Sequence, residues 1–179
     1  MAEPRRKTPG PVSREWLMRA GAHYLERYAT SSENFRRVLE RKTKRRMMLR
    51  DEFDTDHSDL IADVVSRFDE LGFLDDRSFA EAKVRSFRRK GLSIRMVEAK
   101  LSEKGVDRGT IDAVVAEDET LEETAARSYA KRRRLGPWRL RDRAERRDRD
   151  VAAMMRAGFA YPLASSVVDG EADDERDEA

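Results

Sequence analysis

The 179-residue chain contains no cysteine, which excludes a disulfide framework and any thiolate metal site and fits a reducing compartment. Histidine is almost as scarce. His23 and His57 fall on separate helical stretches with no ligand spacing around them, so no metal centre is expected. No apolar run approaches the roughly 20 residues that span a bilayer. Arg5, Arg6 and Lys7 have no apolar stretch behind them, so the N-terminus does not read as a secretory signal. A cytoplasmic protein without a membrane partner is expected. Phosphate-cradling GxxxxGK[ST] and nucleophile-elbow motifs are also missing, and the glycines present punctuate helices. The expectation is a non-enzyme with no cofactor.

What the chain has instead is charge: 41% of its residues are Asp, Glu, Lys or Arg, against 39% hydrophobic. Thin helical layers suit that balance better than a thick core. The net charge of +2 hides segregation, because the last eleven residues, DGEADDERDEA, carry seven acids and one Arg. Arg36 to Arg50 holds eight Lys or Arg against one acid, and Arg127 to Asp150 holds eleven against four. Basic surface of this density favours polyanions or an acidic protein face. A solvated face that only maintains solubility is the competing reading.

Helix punctuation gives the architecture. Ile61, Val64, Val65, Phe68 and Leu71 recur at helical spacing before Gly72, a residue that ends a helix in the left-handed conformation cheaply. Asp75 then caps a helix through Phe79, Ala80, Val84 and Phe87 that stops at Gly91. Ser93 caps the next, carrying Val97 and Leu101 to Gly105, and Asp107 caps a third containing Ile111. Thr30 with Glu33, and Thr120 with Glu123, read as capping boxes before the first and third copies of this pattern. The stretch MMRAGFAYPLASSVV repeats the ending at Gly158. The chain therefore reads as all-α: three tandem three-helix modules at 14–72, 75–116 and 120–168, stacked as a short curved solenoid. A basic N-terminal tail at 1–13 and an acidic C-terminal tail at 169–179 are expected to be disordered.

The run LGFLDDRSFAEAKVRSFRRKGLS, followed by LSEKGVD, resembles the signature of the RecX family of bacterial regulators, and RAGFAYPLASSVV resembles that family's C-terminal ending. The resemblance covers about Arg14 to Asp169. It implies repeated three-helix modules and binding to the RecA recombinase filament on DNA, usually to inhibit it, within DNA repair, recombination and the SOS response. One departure is LERKTKRRM, where the commoner form has Gly after the Lys. Thr43 stands there, so the helix is expected to continue into Met47 and Met48.

Candidate contacts to filament or DNA come from the basic clusters: Arg36, Arg37, Arg41, Lys42, Arg85, Arg88, Arg89, Lys90, Arg95, Lys131, Arg132, Arg133, Arg134 and Arg139. Binding to single- and double-stranded DNA is expected to be weak and largely independent of sequence, with the protein a monomer. The alternative is a free-standing nucleic-acid binder whose helix-turn-helix-like modules read a duplex. Among the aromatics, Trp16, Tyr24, Phe35, Phe68, Phe73, Phe79, Phe87, Tyr129 and Phe159 read as core. Trp138, between Gly136-Pro137 and an arginine run, either closes a turn or stacks on a partner.

Overall fold

The computed structural model describes residues 8–52 and 55–172. Among these residues the regular structure is entirely helical: α1 (Arg14–Leu25), α2 (Ser32–Met48), α3 (Ser58–Glu70), α4 (Asp76–Arg89), α5 (Ile94–Glu103), α6 (Arg108–Ala116), α7 (Glu122–Arg133), a 3-10 turn (Gly136–Trp138), α8 (Arg143–Arg156) and α9 (Tyr161–Asp169). Most of the tails expected at the two ends, residues 1–7 and 173–179, lies outside the described residues. Inside them, the Pro9 and Gly10 carbonyls accept from Arg50 and Arg46. Asp169 closes α9 and accepts from Arg147 at 2.6 Å.

The helices form two compact units, the first made of residues up to Phe79 with Lys104–Val106, the second of Ala80–Glu103 with Asp107 onward. In the first, Leu17, Phe35, Leu39, Ile61, Val64, Phe68 and Leu74 form one buried cluster. Phe35 and Phe68 meet edge to face with centroids 5.2 Å apart, a favoured aromatic geometry. Thr43 does let α2 run on to Met48. Its hydroxyl is the one buried side-chain polar atom without a partner among the described residues.

In the second unit α7 presents Ala125, Ala126 and Ala130 to a core completed by Leu135, Val151, Met154, Phe159, Ala164, Val167 and Val168. These small side chains let α8 and α9 approach α7 closely. Trp138 ends the 3-10 turn, and the arginine run that follows it supplies the first half of α8. Trp138 packs against this core, and the Arg127 guanidinium sits 5.5 Å from its ring centroid. Trp138 therefore closes a turn.

Asp75, Ser93 and Asp107 accept from the amides of Ser78, Met96 and Thr110 at 2.8, 3.3 and 2.9 Å, as caps should. Neither expected capping box forms. Ser31 caps α2 by accepting from Asn34 N, and Glu33 is taken by Arg36 and Arg37. Leu121 precedes α7 with no side-chain cap, while the Thr120 hydroxyl donates to Asp118. Phe73, expected in the core, is 62% exposed, its ring 5.9 Å from that of Phe68 and nearly perpendicular to it. It lies beyond the end of α3, after left-handed Gly72, where the helical stripe no longer sets its direction.

Two helix ends separate what glycine does from where it stands. At α4 the Leu92 amide donates to Phe87 O at 3.0 Å across left-handed Gly91, φ +70. At α7 the Leu135 amide donates to Ala130 O at 2.9 Å across Arg134, which takes φ +54 without being glycine. The equivalent of Gly91 is thus Arg134, and Gly136 serves another purpose: a Cβ there would lie 2.6 Å from Val168 Cα. A Cβ on Gly91 would meet Tyr129 N at 2.6 Å and Ala125 O at 2.7 Å. Gly91→Ala should therefore destabilise the fold by at least about 2 kcal/mol, combining left-handed strain with a backbone collision. Arg134→Gly should stabilise it by about 1 kcal/mol through relief of strain. Chemical denaturation of both variants checks the pair, and equal effects of one sign would refute the equivalence.

Candidate functional site

The fourteen predicted contact residues divide by what holds them. Arg88 does not belong on the surface: it is only 2% exposed. Its Nε donates to Asp118 at 2.7 Å, Nη1 to Glu122 at 2.6 Å and Leu92 O at 2.8 Å, and Nη2 to Thr120 O at 2.6 Å. Glu122 also accepts from the Ile94 amide at the start of α5. The planar fork therefore ties the end of α4, the start of α5, the α6–α7 link and the start of α7. Buried charge is tolerable when paired and hydrogen-bonded, as here, where each of the three guanidinium nitrogens donates.

Arg139 is likewise committed. Its Nε and Nη2 donate to Asp150 at 2.8 and 2.5 Å, and the Gly136 amide donates to the same carboxylate at 2.9 Å. Burial opposes ionisation of Asp150, but the Arg139 and Gly136 hydrogen bonds and the charges of Arg139 and Arg146 together outweigh it, holding the carboxyl below the ordinary Asp range. Arg36 and Arg37 pair along α2 with Glu33, and Arg36 with Glu40 as well, leaving both half-buried. Arg85 is exposed beside Glu81 at 3.9 Å.

The remaining candidates face solvent to a greater degree. Arg41, Arg89, Lys90, Arg95, Lys131, Arg132, Arg133 and Arg134 are exposed, and Lys42 is half-buried. Arg132, Arg133 and Arg134 form a dense patch at the end of α7 with no carboxylate partner among the described residues. Sequence clusters alone missed two groups. Lys44 and Arg45 are exposed on the α2 face of Arg41, at helical spacings of three and four. Lys100 and Arg156, half-buried and exposed, approach Arg132 and Arg133 around a groove in the second unit. Their separation along the chain hid this convergence. Among the described residues no cluster of His, Asp and Glu could hold a metal ion, and no helix is long and apolar enough to cross a membrane.

Fold and surface together define a small all-helical protein built from three-helix groups, with cations free to meet a partner. The family model for the second three-helix domain of RecX matches residues 75–115, spanning α4 to α6. A regulatory protein RecX of Myxococcus xanthus is 36% identical over 167 residues, covering 91% of this chain and 89% of the relative. One of Thermobifida fusca is 33% identical over 144 residues, 79% and 78% of the two chains, and one of Agrobacterium fabrum 38% identical over 96 residues, 53% and 51%. The chain belongs to the RecX family. No solved structure matches it.

Two outcomes check the structural assignments. Arg88→Met should cost about 3–5 kcal/mol, because Asp118 and Glu122 lose a buried counter-charge. Arg88→Lys should restore only part, since an ammonium cannot reproduce the fork. Thermal melts decide, and a neutral Arg88→Met would remove the clamp. Asp150 gives a pH signature. With its folded-state pKa depressed, its stabilisation is complete above the unfolded value of about 3.9 and is lost as pH falls through the folded value. Asp150→Asn should therefore lower stability at neutral pH and flatten its decline below about pH 4, measured by urea unfolding across that range.

Proposed function

We propose that this protein binds the RecA recombinase filament on DNA and modulates, in the main inhibits, its ATPase, strand-exchange and co-protease activities. It would act without catalysis of its own, as a cytoplasmic monomer. The observation that carries the reading is the contrast between the two arginine-rich helices of the second unit. On α8, Arg147 grips Asp169 at 2.6 Å and Ser165 at 2.8 Å, and Arg143 donates to the Gly170 carbonyl at 2.5 Å. At the end of α7, Arg132, Arg133 and Arg134 are left exposed without carboxylate partners among the described residues. Three adjacent cations held by no internal carboxylate suit phosphates, or carboxylates on a partner, better than they suit the fold.

The three modules expected at 14–72, 75–116 and 120–168 are part of this proposal. Successive modules would present Arg41, Arg89 with Lys90, and Arg132 with Arg133 as separate contact points along a filament. Inhibition would then be steric and electrostatic, by hindering the small subunit rotations that accompany nucleotide turnover. The alternative of a sequence-specific DNA reader fits less well. Recognition helices bring their N-terminal residues to base edges, whereas α2, α4 and α7, which carry the basic clusters, hold Glu33, Asp76 and the Glu122–Glu123 pair in their first turns, which phosphates repel.

Recombinase ATPase on single-stranded DNA should fall on stoichiometric addition of this protein, and an unchanged rate would end the reading. The Arg132→Glu, Arg133→Glu variant should no longer suppress the ATPase. On single-stranded DNA the slope of log affinity against log salt should drop by roughly 0.7 for each phosphate the variant no longer neutralises, with the melting temperature unchanged. Lower melting with an intact slope would leave these arginines a purely structural role.

A further inference from the structure

The second unit carries a groove of about 340 Å³ between α5, α7 and α8. Its floor is apolar: Leu92, Met96, Tyr129, Ala153 and Ala157. Its rim is Lys100, Arg132, Arg133 and Arg156, and no carboxylate lines it. None of the four cations has a carboxylate partner among the described residues. A second groove of about 310 Å³ shows how unusual this is for so acid-rich a chain, since Glu81, Glu117, Asp118 and Glu119 line it with a single cation, Arg85.

From this we infer that the groove is a docking site for an acidic peptide segment that carries one bulky apolar side chain. The charge argument gives the acid: four cations around an uncharged floor are complementary to carboxylates, and the three guanidinium forks among them can hold carboxylates bidentately. The floor gives the anchor. Met96 is flexible and polarisable and moulds itself to an aliphatic or aromatic group, and the volume lies at the small end of ligand clefts, enough for an anchoring side chain.

Nucleic acid fits the floor less well. Base stacking needs an open aromatic face, and Tyr129, the groove's one ring, is packed against Phe159 with centroids 5.7 Å apart and has the Arg132 guanidinium 5.7 Å from its centroid. The chain's own acidic tail supplies carboxylates, but from Asp169 to Ala179 its apolar side chains are the methyl groups of Ala172 and Ala179, which leaves the floor unfilled. The occupant is therefore a segment of another protein. This inference needs no recombinase, so it stands or falls separately from the proposed function.

The test uses the full chain and a fluorescent peptide of mixed Glu and Asp around a central Leu, read by anisotropy. The Leu peptide should bind about tenfold or more tightly than its Leu→Ser counterpart, the effect of burying one such side chain. Ala153→Trp, which fills the floor, should abolish that preference while oligo-dT binding persists. Because a large residue there could disturb the core, Arg133→Glu with Arg156→Glu, both exposed, provides the second variant and should weaken peptide binding about tenfold. Deleting residues 173–179 should leave peptide affinity unchanged. Equal affinity for the Leu and Ser peptides overturns the site. Disappearance of oligo-dT binding together with peptide binding in Ala153→Trp makes it a nucleic-acid groove instead, and a large gain in peptide affinity on tail deletion gives it to the tail.

Discussion

The second unit depends on one buried guanidinium. Arg88 donates to two carboxylates and two carbonyls contributed by the α4–α5 turn, the α6–α7 link and α7. Without it, Asp118, whose side chain is 8% exposed, would be a buried charge lacking its counter-ion, and desolvation would work against the fold. With it, the first turns of α5 and α7 are fixed together, because Glu122 accepts from both Arg88 and the Ile94 amide. That geometry brings α7 against Gly91 so closely that Tyr129 N and Ala125 O leave no room for a Cβ. The position of α7, and hence of the cations at its end, follows from this clamp.

The protein uses one residue type for two purposes. Arg88 and Arg139 are spent internally on Asp118, Glu122 and Asp150, and Arg147 on Asp169. Arg132 and Arg133 remain outside, on the rim of an apolar groove. Internal pairing sets stability and its sensitivity to acid, whereas unpaired cations set attraction to a polyanionic or acidic partner and its sensitivity to salt. A surface this charged can be selective where cations cluster away from carboxylates, as they do around the groove between α5, α7 and α8.

Helix boundaries were legible to a large extent before any tertiary contact was considered. Gly72 and Gly91 terminate helices, and Asp75, Ser93 and Asp107 start them, because these residues act on their own local backbone. Local rules failed where several local solutions compete. Ser31 won the cap over Thr30 because its hydroxyl both accepts from Asn34 N and donates to Lys104 O, a partner 73 residues away. Arg134 took a left-handed conformation that would ordinarily go to glycine, since the nearest glycine, Gly136, was required against Val168.

By itself the sequence determined the all-helical class, the places where most helices turn, and the family, since each rests on local residue order. It could not determine which arginines are available. Arg88 and Arg89 are neighbours of identical chemistry, yet one is buried and the other exposed, because about 100° of helical rotation points them in different directions. The carboxylates that make burial tolerable for Arg88 lie 30 and 34 residues further along the chain. Likewise Lys100, Arg132, Arg133 and Arg156 ring one groove from three separate helices. Charge has a fixed sign in sequence, but its cost and its use depend on what the fold places within a few ångströms, and that only the tertiary structure decides.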